Sequence, residues 1–342
     1  MNEIVFPIVL VLFASVFQGT FGLGMKYFKP LPWEAWWLIH ATVAMIIIPV
    51  TWAFIVVPDL CSVIASASSD TIFSSMLFGF LWGIGGIMFG VSVRYIGVSL
   101  TYGIVMGLAA LMGSLVPLLR VPGATELASF PYVVVGLIIM LVGVAVVAYA
   151  GIQRDKVHAA SGQEVSGMQQ GKAFQIGLVI AITCGLLSSL INVGFANAQP
   201  IAKLAAEAGA ETRNSSLAAW VVVLGGAYLM NVLYSVVLLS KNKNWGSFKT
   251  AGSGKAYKWA IIAGLLWFGA LGVYGQGSAL MGELGPVVGW PMLLGLSLVV
   301  SNFIAVKVGE WKGASTPLKV MVGGLAILIF ACCVLGFSNS VA

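Results

Sequence analysis

Charge is what this chain has least of. Only 8% of its 342 residues are Asp, Glu, Lys or Arg, and two are His. A soluble domain carries roughly a quarter charged residues, because water faces most of its surface. The scarcity excludes a water-facing globule of this length, so the missing solvent is lipid. Catalytic signatures are absent as well. No His-Glu-x-x-His, Gly-x-Ser-x-Gly or Cys-x-x-Cys occurs, and the chain does not read as an enzyme. Gly252-Ser253-Gly254-Lys255-Ala256 lacks both the leading glycine and the Ser/Thr of a phosphate-binding loop, which argues against ATP-driven work. Cys61, Cys184, Cys332 and Cys333 make no metal-ligand spacing, so neither metal nor cofactor is expected. Asn2 and Glu3 provide no basic leader, and the first apolar run is read as a retained helix.

What is present is oil. Six residues in ten are apolar and mean hydropathy is +1.02. The 42 glycines suit membrane helices, which approach closely through small residues. Apolar runs long enough to cross the hydrocarbon core recur at approximately 4–25, 33–57, 71–93, 98–119, 131–151, 173–198, 217–240, 259–280, 285–306 and 317–337. Turn signals such as Lys29-Pro30-Leu31-Pro32 and Val121-Pro122-Gly123 separate them. The expected fold is an all-α integral membrane protein of ten transmembrane helices, its one constant partner the lipid bilayer.

Basic residues orient it. Odd-numbered connections hold 14 of the 17 Lys and Arg; Arg120, Lys203 and Arg213 alone fall in even ones. The positive-inside rule makes the odd connections cytoplasmic and sets both termini outside. The net charge of +6 is explained by those loops and does not imply a nucleic-acid partner.

An internal repeat is visible. Gly79-Phe80-Leu81-Trp82 matches Gly264-Leu265-Leu266-Trp267, and at the same offset Phe89-Gly90 matches Tyr274-Gly275 and Gly97 matches Gly282. Two halves of five helices, 1–151 and 173–342, joined by a cytoplasmic linker at 152–172, are inverted relative to each other because five is odd. Inverted repeats go with alternating-access transport.

Pro32-Trp33-Glu34, Trp82-Gly83-Ile84-Gly85 with Gly90, Arg94-Tyr95-Ile96-Gly97-Val98-Ser99 and Glu310-Trp311 carry a likeness to a known group. On these segments, and over nearly its full length, the chain resembles the L-rhamnose–proton symporter family of the drug/metabolite transporter superfamily. The resemblance implies ten helices in two five-helix repeats, a bacterial inner-membrane location and sugar uptake driven by the proton gradient. Around Tyr274-Gly275-Gln276-Gly277-Ser278 and Leu284-Gly285-Pro286 this chain is poorer in histidine, tyrosine and acid than enterobacterial members, which leaves the sugar open.

A sugar carrier needs polar groups to replace water around hydroxyls and aromatic faces to cover the ring's C–H side. Uncharged candidates for substrate contact are Gln18, Asn192, Asn197, Tyr228, Asn231, Tyr274 and Gln276, since amides donate and accept together. Tyr228, Asn231 and Tyr234, three residues apart, share one helix face. Trp82 and Trp267, equivalent in the two halves, and Tyr102 are the aromatic candidates. Ionisable groups are costly in the bilayer and so informative. His40 titrates near physiological pH and is a candidate proton carrier, as is Glu34 near the cytoplasmic mouth. Each also has a plain reading, an interhelical bond for the polar residues and an interfacial acid for Glu34. The leading expectation is proton-coupled import of a monosaccharide, L-rhamnose or a related deoxy sugar. The alternative is an exporter or carrier of another small metabolite on the same fold. Monomer and homodimer remain open.

Overall fold

The computed structural model describes residues 2–162 and 169–341, with no strand among them. Ten helices are long and apolar enough to cross a bilayer: Val5–Tyr27, Trp33–Val56, Ser69–Ile96, Val98–Leu118, Phe130–Ala160, Gly171–Glu207, Thr212–Lys241, Gly254–Leu280, Gly282–Lys307 and Ser315–Ser338. They are the ten runs that hydropathy predicts, and the chain is a multi-pass membrane protein.

Three details differ from the hydropathy boundaries. The fifth helix continues to Ala160, so the start of the expected 152–172 linker is helical; residues 163–168 of that linker lie outside the described residues. Its polar end is held by side chains rather than by lipid. Arg154 donates through Nε and Nη2 to Asp155 Oδ1 at 3.0 and 2.8 Å, and Ser99 Oγ donates to Asp155 Oδ2 at 2.6 Å. The Arg154 guanidinium also lies 4.9 Å over the Trp311 ring. The sixth span does not end at Asn197 but resumes as Gln199–Glu207, with Pro200 in its first turn, where a missing N–H costs nothing. The second helix contains a π-helical turn, Val43–Ile47, between Trp33–Thr42 and Ile48–Val56.

The backbone forms two compact units. The first is Met1–Gly83 with Gly194–Gly282; the second is Ile84–Val193 with Glu283–Ala342. Each draws helices from both halves of the chain.

In the first unit, the second and seventh helices lie antiparallel. Trp33 meets Tyr234 edge-on at 6.3 Å, Trp37 Nε1 donates to Asn231 Oδ1 at 2.8 Å, and Thr42 and Tyr228 hydroxyls are 3.2 Å apart. Numbers rise along one helix as they fall along the other. Glycines set the closest crossings. A Cβ on Gly79 would overlap the Val223 carbonyl, and one on Gly226 the Met76 carbonyl. On Gly264 it would sit 2.9 Å from Val43 Cγ1 and 3.2 Å from the His40 carbonyl, so the eighth helix rests directly on the second.

The second unit is organised by the fifth and tenth helices, again antiparallel. Bare positions face bulky ones: Cβ atoms added at Gly136, Gly143 and Gly324 would come within 2.7 Å of Leu335, 2.7 Å of Leu328 and 2.8 Å of Val147. Asn192 ties the sixth helix in, donating through Nδ2 to the Gly113 and Pro286 carbonyls, each at 2.8 Å. Trp290 Nε1 donates to the Ala109 carbonyl at 2.9 Å.

Candidate functional site

The second helix begins at Trp33, behind Pro32. Its residues Trp33, Trp36, Trp37 and His40 follow the i, i+3, i+4, i+7 spacing of one helical stripe. The stripe places three indoles and an imidazole in a continuous stack. His40 lies 5.3 Å from Trp36 at 8° and 5.0 Å from Trp37 at 38°, and Phe21 of the first helix stacks on it at 6.4 Å. The imidazole is 1% exposed. It faces the backbone of Ala260 in the eighth helix, and its Nδ1 is buried without a hydrogen-bond partner. Burying an unpaired polar nitrogen costs several kcal/mol at the upper end, about 2–7 by transfer scales. Most buried polar groups in native structures are paired, so an open one is uncommon.

Other polar groups converge on the same level of the first unit. Gln18 stands one turn before Phe21 on the first helix, and its Oε1 is likewise buried and unpaired. Asn231 sits against the third helix: a Cβ on Gly83 would be 3.2 Å from Asn231 Nδ2. Trp82, next to Gly83, packs on Trp267 with ring centroids 5.5 Å apart, and Trp267 is one turn from the Gly264 crossing at His40. Gln18, His40, Trp82, Tyr228, Asn231 and Trp267 therefore belong to one polar and aromatic layer. Asn231 has little capacity left for a ligand, since its Nδ2 also donates to the Ala227 carbonyl at 2.8 Å. Its work is to fix Trp37.

Three further sequence candidates form a different layer near the start of the seventh helix. Tyr274 is fully buried against Phe195 and Trp220, at 5.6 and 6.2 Å. Gln276 Nε2 donates to Asn214 Oδ1 at 2.8 Å, and Asn197 Nδ2 donates to Ser74 and Ser75 at 2.8 and 3.0 Å. Asn192 and Tyr102 are in the second unit; Asn192 spends its donors on backbone carbonyls, and Tyr102 meets Phe89 edge-on at 6.1 Å. Glu34, 6% exposed, accepts through Oε1 from Asn242 Nδ2 at 2.9 Å and Asn244 Nδ2 at 2.7 Å. No group of His, Cys, Asp and Glu able to hold a metal occurs among the described residues. Phe21 and Trp37 join Trp36, an aromatic already marked by type, as site residues; the stripe spacing around His40 is the signal that marks the two indoles.

Residues 1–341 match the family described as L-rhamnose-proton symport protein (RhaT). Proteins named L-rhamnose-proton symporter from Yersinia pestis (strain Pestoides F) and Yersinia pseudotuberculosis (serotype O:1b, strain IP 31758) are each 25% identical, with 98% of this chain and 98% of theirs aligned. A solved structure titled "Crystal structure of protein" superposes with a TM-score of 0.55 at 13% identity, covering 96% of this chain and 97% of that one. That likeness concerns the fold alone.

Proposed function

We propose that this chain, which belongs to the L-rhamnose-proton symport family, imports a neutral monosaccharide with a proton, L-rhamnose first among candidates. The family is one of transporters rather than enzymes. The observation that carries the reading is His40: a fully buried imidazole with an unpaired Nδ1, boxed by Phe21, Trp36 and Trp37. An imidazole with an unpaired ring nitrogen has a place at which a proton can be received. The aromatic faces of Trp82 and Trp267 suit the C–H side of a sugar ring, and Gln18 and Tyr228 offer hydroxyl partners. The proton gradient supplies the energy, with no cofactor required.

The transport cycle is alternating access between inverted repeats. Support comes from counterpart helices. The second and seventh, and the fifth and tenth, are antiparallel neighbours, as helices related by inversion are. Trp82 and Trp267, equivalent in the repeat, touch, which favours a pseudo-two-fold axis passing between them. Family membership favours the bacterial inner membrane, and the bias of basic residues favours odd connections in the cytoplasm with both termini outside.

Proteoliposomes loaded at one pH and diluted into another test this directly. Labelled L-rhamnose accumulates when the outside is acidic, and an uncoupler abolishes the accumulation. Accumulation of no monosaccharide under an imposed gradient ends the reading, and efflux coupled to proton entry replaces it with the exporter.

A further inference from the structure

One turn from His40, towards the 241–258 connection, the first unit holds an apolar cluster, a plug of packed side chains. Leu31, Ala35 and Trp36 pack with Leu239 of the seventh helix and Ala256 and Ala260 of the eighth, none more than 1% exposed. Glu34 lies beside the plug, between Leu31 and Ala35 in the chain. Burying a carboxylate is costly unless it is paired or hydrogen-bonded, and the described side-chain partners of this one are two neutral amides, Asn242 and Asn244. Both come from the turn that ends the seventh helix, more than 200 residues away in sequence. The Asn244 backbone N–H in turn donates to the Leu239 carbonyl at 2.9 Å, so the amide that grips Glu34 is anchored on a plug residue. Other ionisable groups on the surrounding elements are Lys26 and Lys29 before the second helix, Lys241 and Lys243 beside Asn242, and Lys249, Lys255, Tyr257 and Lys258 around the start of the eighth.

We propose that Asn242 and Asn244 are positioning residues that make Glu34 a proton-operated latch over the plug. While the carboxylate is charged, its two charge-assisted bonds pin the 241–258 connection across the start of the second helix and the plug stays shut. A proton arriving on Glu34 removes that charge, halving the strength of both bonds, and the connection lets go. Glu34 stands about 9 Å along the helix axis from His40, six residues at a rise of about 1.5 Å each. A proton leaving His40 towards this face meets the latch before it meets water, so proton departure and opening on one side become a single event. The inference rests on the proton-coupled carrier reading and adds the device that ties proton to gate.

The test reads the plug rather than transport, so its result is independent of which solute is carried. Cys61, Cys184, Cys332 and Cys333 are replaced by Ser or Ala and a reporter thiol is placed in the plug as Ala256→Cys. Its maleimide labelling rate is measured in purified full-length protein, normalised at each pH to the rate on denatured protein. Labelling is slow near neutral pH and accelerates as pH falls to about 4 and below, where carboxylates protonate. Glu34→Gln and the double variant Asn242→Ala/Asn244→Ala each label at least tenfold faster near neutral pH, and both lose the pH response. Rates equal to the parent in both variants overturn the proposal, as does a pH response that persists in Glu34→Gln. Should neither variant fold, the parent reporter decides alone: a flat rate across the acid range sinks the latch. Sugar uptake with a flat rate removes the latch and keeps the carrier.

Discussion

The two units solve the same problem, how to hold helices together in lipid, with different materials. The second uses shape. Glycines at 136, 143 and 324 receive Leu335, Leu328 and Val147, and its buried amide, Asn192, is satisfied by two backbone carbonyls. The first adds rings and polar groups to its glycine crossings, and leaves Gln18 Oε1, Trp36 Nε1 and His40 Nδ1 unpaired, where the second leaves Ser114 Oγ, Ser129 Oγ and Trp311 Nε1. With no hydrophobic force between helices in a bilayer, packing and interhelical hydrogen bonds remain as glue. The open atoms of the second unit are two hydroxyls and an indole N–H, which carry no charge. Those of the first include a ring nitrogen of His40, which can hold a proton that comes and goes.

Substitutions at matched positions sharpen or break this contrast. The largest effect is expected at His40. His40→Ala abolishes proton-driven accumulation, at least tenfold, while facilitated exchange of sugar survives; wild-type coupling in proteoliposomes moves the proton role away from this residue. Next is the second unit's shape. Gly143→Val drives a side chain into Leu328 and lowers stability by about 1–3 kcal/mol, read as a lower melting temperature in detergent. Uptake per folded molecule stays near wild type. A loss of uptake without a loss of stability at Gly143 would put function in both units. Asn231→Ala removes the acceptor of the Trp37 indole and raises the KM for sugar several-fold, with a stability cost of about 0.6–2 kcal/mol. The smallest change is at Asn192→Ala, a similar stability cost with KM unmoved. Equal KM shifts at Asn231 and Asn192 would erase the distinction between the units.

How much of this the sequence discloses depends on what each signal reports. Hydropathy reports lipid, and it locates all ten crossings. It misses the polar end of the fifth helix because Arg154, Asp155 and Lys156 lower hydropathy while Asp155, Ser99 and Trp311 keep the turn wound. It is equally blind to the π-helical turn at Val43–Ile47, since an apolar run looks the same wound at either pitch. The three-residue spacing puts Tyr228, Asn231 and Tyr234 on one face, and they do share it. That the face meets Thr42, Trp37 and Trp33 is a tertiary fact no spacing contains. Polar type alone cannot separate Gln18, whose oxygen is unpaired, from Gln276, whose amide is spent on Asn214. Composition reveals which residues are able to bind; only the fold reveals which are already engaged.

The ladder between the fifth and tenth helices also limits how this protein can move. Advance one helix past the other by a turn in one direction, and Val147 confronts Leu328. Retreat by a turn, and Gly143 faces Gly324 across an empty gap. Only one alignment mates every rung, so these two helices travel as a single stiff post. Any rearrangement that admits and discharges a passenger has to bend or swing elsewhere.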